Sequence, residues 1–275
     1  MENYFSEDSP FIVHDTRKHR WDVPYHVEAV NIRGTILLAN NRTFISGKTI
    51  LDLGCHFGTW SMLALKLAAR HVTGLDSDPK LISHANALFS DEGTIPESYT
   101  FMVGNVMDIL KTLPDKCFDT ILCLGLLYYL PDPYSILREM KRIAREAIIL
   151  DTFTASYCAI QGKDSPDILS RIKPETFELP LLFHSLTQSD KQSYHVPHIV
   201  RKTDTNLTIL TCPTQSLLEL YAESLSLSMQ KLDWNPFLKN PTMTWQELMS
   251  HEAKKASHWT DIYATGVRVS YVLSM

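Results

Sequence analysis

The chain has 275 residues, of which 44% are hydrophobic, 21% charged and 10% aromatic, and its formal net charge is −5. This length buries a full core and reads most economically as one large α/β domain of ordinary globular composition. The acidic balance disfavours a protein built mainly to grip RNA or DNA, and no apolar run approaches the length needed to span a bilayer.

The amino-terminal stretch Met1-Glu2-Asn3-Tyr4-Phe5-Ser6-Glu7-Asp8 is acidic and polar, unlike a secretory signal, so a cytoplasmic protein is the default expectation. Residues 1–22 are polar and irregular, and their one basic cluster, Arg17-Lys18-His19-Arg20, is short enough to be a solvated turn. From Pro24 to about Asn40, apolar residues recur at helical spacing, and Gly47 ends this segment. Strands and helices then alternate as in a parallel sheet covered on both faces. The expected order is a strand at Thr49–Leu53, a helix from Thr59 to about Ala69, and a strand at Val72–Asp76. Asp78 caps a helix with Pro79 in its first turn, running through Leu88, and a third strand follows at Tyr99–Val103. After a short helical turn comes Phe118–Leu124, a continuous apolar strand. Asp132 and Pro133 open a further helix to about Ala144, and Ala147–Asp151 is the fifth strand.

The rhythm breaks over 152–205, a stretch with four prolines and no long periodic element, as expected of a functional or mobile insertion. Regular structure resumes at Leu207–Leu210, with a helix over Gln215–Leu225 and a strand near Leu227–Leu232. Thr244-Trp245-Gln246-Glu247 is a capping box for a helix to about Lys255, and Ile262–Leu273 has the composition of a final strand. The five cysteines are odd in number, scattered and without a C-x-x-C pair, against a disulfide framework or a cysteine zinc site. Cys117 and Cys123 read as small buried hydrophobes. In the insertion, His195 and His198 have ligand spacing, but no nearby carboxylate or cysteine completes a set, so a polar lid loop is the reading and no metal is expected. Arg201 and Lys202 there are solvated charges or, alternatively, hold an anionic group on a substrate.

The strongest constellation is strand, glycine turn, helix, and an acid closing the second strand. In an open parallel sheet, ligands bind beyond the carboxyl ends of the strands where the strand order reverses. Gly54 and Gly58 let backbone approach a ligand closely, and Asp76 stands where the ribose hydroxyls of an adenosine would lie. The interval from Gly58 to Asp76 also suits a dinucleotide, so NAD is an alternative. His56 and Ser61 break the G-x-G-x-x-G pattern, however, and Asp52 would repel a pyrophosphate while suiting a cationic amino-acid moiety.

With these features the chain resembles the class I S-adenosylmethionine (SAM)-dependent methyltransferases, clearly over about residues 45–152 and more loosely to the end. Leu51-Asp52-Leu53-Gly54-Cys55-His56-Phe57-Gly58 is similar to that family's first motif, and Gly74-Leu75-Asp76-Ser77-Asp78-Pro79 to its ribose-binding motif. Gly104-Asn105-Val106 lies where the family usually has an acid for the adenine amino group. Phe118 to Leu130 resembles the fourth motif, whose backbone lies beside the methionine end of SAM. The resemblance implies a Rossmann-like α/β fold with a seven-stranded, mostly parallel sheet in the order 3-2-1-4-5-7-6. It assigns the cofactor to Asp52, Gly54, Cys55, Gly58, Asp76, Ser77, Asn105 and Val106, with backbone near Leu124 at the methionine end. His56 replaces the middle glycine, and Asn105 replaces the acid but still offers an amide oxygen. Leu126-Leu127-Tyr128-Tyr129-Leu130-Pro131-Asp132-Pro133 and Cys212 to Leu218 are similar to segments of the tRNA wobble-uridine carboxymethyltransferases.

Methyl transfer needs alignment and exclusion of water more than a recognisable catalytic set. Tyr128 and Tyr129, after the fourth strand, and Trp21, Tyr25 and His26, in the N-terminal segment, are the candidates to surround the methyl; His26 is a candidate base. The expected organisation is a single domain with a cap at 1–46, a SAM-binding core at 47–151, a lid-like insertion at 152–205 and the rest of the sheet at 206–275. The expected activity is methyl transfer to an oxygen or nitrogen of a small-molecule acceptor, with no membrane partner. A wobble-uridine-type RNA enzyme and a non-catalytic SAM- or partner-binding module are the alternatives.

Overall fold

A computed structural model describes residues 2–12, 25–160, 172–188, 207–249 and 257–275. Helix α1 (Val27–Leu37) precedes β1 (Thr49–Leu53), α2 (Thr59–Lys66), β2 (His71–Asp76), α3 (Pro79–Asp91) and β3 (Tyr99–Val103). Then come α4 (Val106–Thr112), β4 (Phe118–Leu124), α5 (Pro133–Ile143), β5 (Ala144–Phe153) and α6 (Ala155–Ile160). Two strands follow, β6 (Leu182–Gln188) and β7 (Leu207–Pro213). The chain ends with α7 (Gln215–Ser224), β8 (Ser228–Lys231), α8 (Trp245–Met249), α9 (Asp261–Ala264) and β9 (Arg268–Ser274).

The main sheet has seven strands in the order β3-β2-β1-β4-β5-β9-β8. With the β6 and β7 ribbon set aside, this is the order that the family resemblance implies. Strands β1 to β5 are mutually parallel, and β9 runs antiparallel to both β5 and β8. Successive residues serve opposite faces, which is why the central strands read as continuous apolar runs. Ile50, Leu122 and Ile149 join a core with α1, α2 and α3, whereas Leu51, Ile121 and Ile148 join a second core with α4, α5 and α7. The two predicted proline-opened helices begin as expected: Asp78 accepts the Lys80 N–H at 2.8 Å and Asp132 accepts the Ser135 N–H at 3.0 Å. Strand order reverses between β1 and β4, and this opens a crevice at their carboxyl ends.

Three expectations need correction. The stretch 152–205 contains regular structure after all: α6 follows β5 directly, and β6 pairs antiparallel with β7 in a separate two-stranded sheet. The final strand starts at Arg268, because Asp261 accepts the His258 N–H and begins α9, and Gly266 turns the chain with φ +70°. Cys55, Cys117 and Cys123 are free, but Cys212 is disulfide-bonded, which the scattered cysteine spacing did not anticipate. Thr244 and Glu247 do form the reciprocal capping box that opens α8. Trp21, His195, His198, Arg201 and Lys202 lie outside the described residues. Among the described residues no helix is long and apolar enough to cross a membrane.

The N-terminal segment is strapped across α1 and α2 by buried polar groups. Asn31 Oδ1 accepts the Tyr4 and Phe5 amides at 2.9 and 3.0 Å, and its Nδ2 donates to the Phe5 carbonyl at 2.9 Å. Phe5 and Phe11 are thereby held in the core. Asn31→Ala should cost about 2–4 kcal/mol, because it leaves two amides and a carbonyl without their partner. Amide hydrogen exchange at Tyr4 and Phe5 should quicken well beyond that of β1; unchanged protection there would show that the strap is held by other contacts.

Candidate functional site

The turn after β1 is built from left-handed backbone. Gly54, His56 and Gly58 have φ of +67°, +55° and +88°. Gly54 and Cys55 donate their amides to the Leu75 carbonyl at 2.8 and 3.1 Å, which locks the turn to the end of β2. Gly58 is required twice over: its φ suits glycine, and a Cβ there would sit 2.8 Å from Phe89 Cε2 and 2.9 Å from Phe101 Cζ. His56 tolerates the position of the missing glycine by pointing its exposed ring outward against Phe57, at a centroid distance of 4.4 Å. A non-glycine residue in this region costs about 1 kcal/mol.

Asp76 ends β2 and binds both neighbouring turns. Its Oδ2 accepts the His56 N–H at 3.0 Å and its Oδ1 accepts the Asp78 N–H at 3.0 Å. Beside it, the Ser77 hydroxyl is buried without a hydrogen-bond partner among the described residues. Asp52 lies deeper, accepting the Ser61 hydroxyl at 2.7 Å. Burial pushes its carboxyl up to about 7, and the nearby Asp76 carboxylate adds to the effect. Burial likewise raises the Cys55 thiol, so Cys55 packs rather than reacts. Asn105 spends its Oδ1 as the cap of α4, accepting the Met107 N–H at 2.9 Å, and the next residue, Val106, is buried. The preceding Gly104 donates its amide to the Asp76 carbonyl at 2.9 Å, so this segment is tied to the same turn.

Across the crevice, Leu124 ends β4, and Gly125 (φ +88°) donates its amide to the Asp151 carbonyl at 2.7 Å. The following turn carries Tyr128 and Tyr129, whose rings stand 4.3 Å apart, and β7 packs against it. Tyr128 is buried on Phe153 at 4.9 Å, and burial with its neighbour Tyr129 raises its hydroxyl well above the ordinary range. It is therefore a proton donor in hydrogen bonds at neutral pH, not a base. His26, the candidate base, has a local task, because its Nδ1 accepts the Ala29 N–H at 3.3 Å and caps α1.

Sequence reasoning passed over one cluster altogether. Asp151, at the carboxyl end of β5, is fully buried and shared by two buried guanidiniums. Arg268 reaches it through Nε at 3.0 Å and Nη2 at 2.7 Å, and Arg33 through Nη2 at 2.9 Å. The Ser270 hydroxyl donates to Oδ1 at 2.9 Å. Burial alone would raise this carboxyl, but Arg268 and Arg33 hold it below its ordinary value. The available signals were an acid closing a strand, as Asp76 does, and single arginines inside the apolar runs Asn31-Ile32-Arg33 and Val267-Arg268-Val269.

Sheet order, glycine turn and strand-closing acid together define a Rossmann-like methyltransferase fold. Residues 50–147 match the family described as a methyltransferase domain. The chain is 31% identical over 112 residues to the tRNA U34 carboxymethyltransferase of Nautilia profundicola, covering 39% of this chain and 35% of that protein. It is 35% identical over 111 residues to the probable methyltransferase ltbC of Aspergillus luteorubrus, covering 38% of each. The chain thus matches little more than a third of the length of these curated relatives. In structure it resembles the S-adenosylmethionine dependent methyltransferase from Mesorhizobium loti, with a TM-score of 0.53 at 13% identity, covering 89% of this chain and all of that one.

The buried Asp52 gives a pH prediction. Its folded-state value of about 7 lies above the ordinary 3.8, so the folded chain binds the proton more tightly than the unfolded one. Ionisation then destabilises the fold progressively as pH rises between those values. Asp52→Asn, which keeps a partner for Ser61, should raise the thermal midpoint of the unliganded protein, with a gain that widens from about pH 4 to about pH 7 and levels above. A gain that is constant over this range in thermal melts would count against a neutral, buried Asp52.

Proposed function

We propose that the chain is a SAM-dependent methyltransferase that transfers a methyl group to an oxygen or nitrogen of a small-molecule acceptor. The observation that carries this reading is the pair of hydrogen bonds that the His56 and Asp78 amides donate to Asp76, which hold its carboxylate between the glycine turn and the start of α3. Each Asp76 oxygen keeps a lone pair for a ribose hydroxyl. The orphaned Ser77 hydroxyl next to it supplies a further polar group that an adenosine would satisfy. Gly54 and Gly58 supply the left-handed backbone that shapes this turn. The match of residues 50–147 to a methyltransferase domain supports the same assignment.

When bound, SAM would supply an electrophilic methyl on a positively charged sulfur for in-line displacement by the acceptor. The chain's own residues need only align the partners at about 3 Å and exclude water. Asp52, Asp76 and Asn105 hold the cofactor side, and Leu124 with Gly125 forms the floor between the two halves. Tyr128 and Tyr129 wall the acceptor side, with the ribbon of β6 and β7 as part of the lid. A wobble-uridine-type reaction is a second reading, favoured by the tRNA U34 relative. The net charge of −5 speaks against it, and steeply salt-dependent tRNA binding would support it.

Calorimetric titration with SAM and S-adenosylhomocysteine tests the proposal. The wild-type protein should bind both, and Asp76→Ala should lose at least about tenfold in affinity, the effect of removing charge-assisted hydrogen bonds from a buried site. Failure of the folded wild-type protein to bind either ligand would overturn the reading.

A further inference from the structure

Among the described residues, the cluster around Asp151 holds two cations and one anion. Arg33, Arg268 and Asp151 have relative exposures of 2%, 4% and 0%. An excess of one positive charge out of water is costly unless an anion joins it. Part of the hydrogen-bonding capacity is also unspent. Arg33 Nε is buried without a partner among the described residues, and so is Trp60 Nε1, whose ring lies 4.8 Å beneath the Arg33 guanidinium.

Position argues for what the excess charge meets. The acids of the cofactor half, Asp52 and Asp76, lie at the carboxyl ends of β1 and β2, on one side of the strand-order reversal. Asp151 and Arg268 belong to β5 and β9, on the other side, beyond β4. Arg268 borders the floor of the crevice: a Cβ placed on Gly125 would meet its Nη2 at 3.1 Å. Its guanidinium lies 4.5 Å over the Phe153 ring, which stacks on Tyr157 and packs against Tyr128. Cationic groups thus stand beside an aromatic wall, next to the turn that carries Tyr128 and Tyr129.

We infer that Arg33 and Arg268, half-neutralised by Asp151, form a carboxylate-binding site for the acceptor, so that the natural substrate is an aromatic or otherwise apolar small molecule bearing one carboxylate. This inference rests on the methyltransferase reading of the crevice. A planar guanidinium matches a carboxylate in fork geometry, and a single negative charge completes the balance. Asp151 fixes the orientation of both arginines and keeps the site selective for a monoanion.

The test uses Arg33→Gln, which leaves the neutral Arg268 and Asp151 pair intact, with Arg268→Lys as a second variant should the first fail to fold. Benzoate is the probe and benzamide its uncharged match. In protein saturated with S-adenosylhomocysteine, benzoate should raise the melting temperature of the wild type and benzamide should not. Either variant should weaken benzoate binding by about tenfold or more, while its affinity for S-adenosylhomocysteine stays within about twofold of wild type. No benzoate effect on the wild type, or equal effects of benzoate and benzamide, would overturn the inference. So would variants that lose S-adenosylhomocysteine instead, since the arginines would then serve the carboxylate of the cofactor. If the wild type binds no S-adenosylhomocysteine at all, the methyltransferase reading fails separately. The benzoate and benzamide melts are then made on the unliganded protein, where a rise with benzoate alone supports the carboxylate site and any other pattern overturns it.

Discussion

The crevice depends on one carboxylate that accepts an amide from each of two turns. Asp76 joins the turn that leaves β1, through His56, to the turn that leaves β2, through Asp78. Each turn alone is a short piece of left-handed or extended backbone whose amides would otherwise need water. Joined, they become one edge from which α2 and α3 leave along the same face of the sheet. The Gly104 amide on the Asp76 carbonyl extends the same edge to β3. Three consecutive strand ends are therefore fixed by the side chain and backbone of a single residue, and a ligand that replaces water there meets groups already in place.

Charge divides the crevice along the strand-order reversal. On the β1 and β2 side stand two acids, and the deeper one, Asp52, is held near neutrality by burial, with the charge of Asp76 adding to the effect. A cationic ligand would shift Asp52 toward its ionised form, so the cost of burying that acid is offset only when the site is filled. On the β5 and β9 side the sign reverses, with two guanidiniums to one carboxylate.

Much of this was legible in the sequence. The glycine turn, Asp76 and the two helices opened by an aspartate and a proline are local signals, because their causes lie within a few residues of one another. The sheet order came from the resemblance carried by those same motifs. What escaped is non-local. The pairing of β6 with β7 joins segments that are separated in sequence and lack a tight turn signal, so neither looks like half of a hairpin. Arg33 and Arg268 meet Asp151 across 118 and 117 residues, and no spacing rule connects them.

The opposite end of the same sheet shows why position, rather than composition, gives the Asp151 cluster its meaning. Asp119, near the start of β4, also attracts two arginines, Arg145 at 3.0 Å and Arg70 at 3.5 Å, and accepts the Thr49 amide and hydroxyl at 2.8 Å. There the arginines are 45% and 64% exposed, so water screens them and the excess charge costs little. That cluster staples β1 to β4 at the amino ends of the strands, where an open parallel sheet has no crevice to fill. Around Asp151 the same chemistry is dry, imbalanced and placed at the carboxyl ends, beside Gly125 and the tyrosine turn. A buried imbalance of this kind is costly unless a further anion completes it.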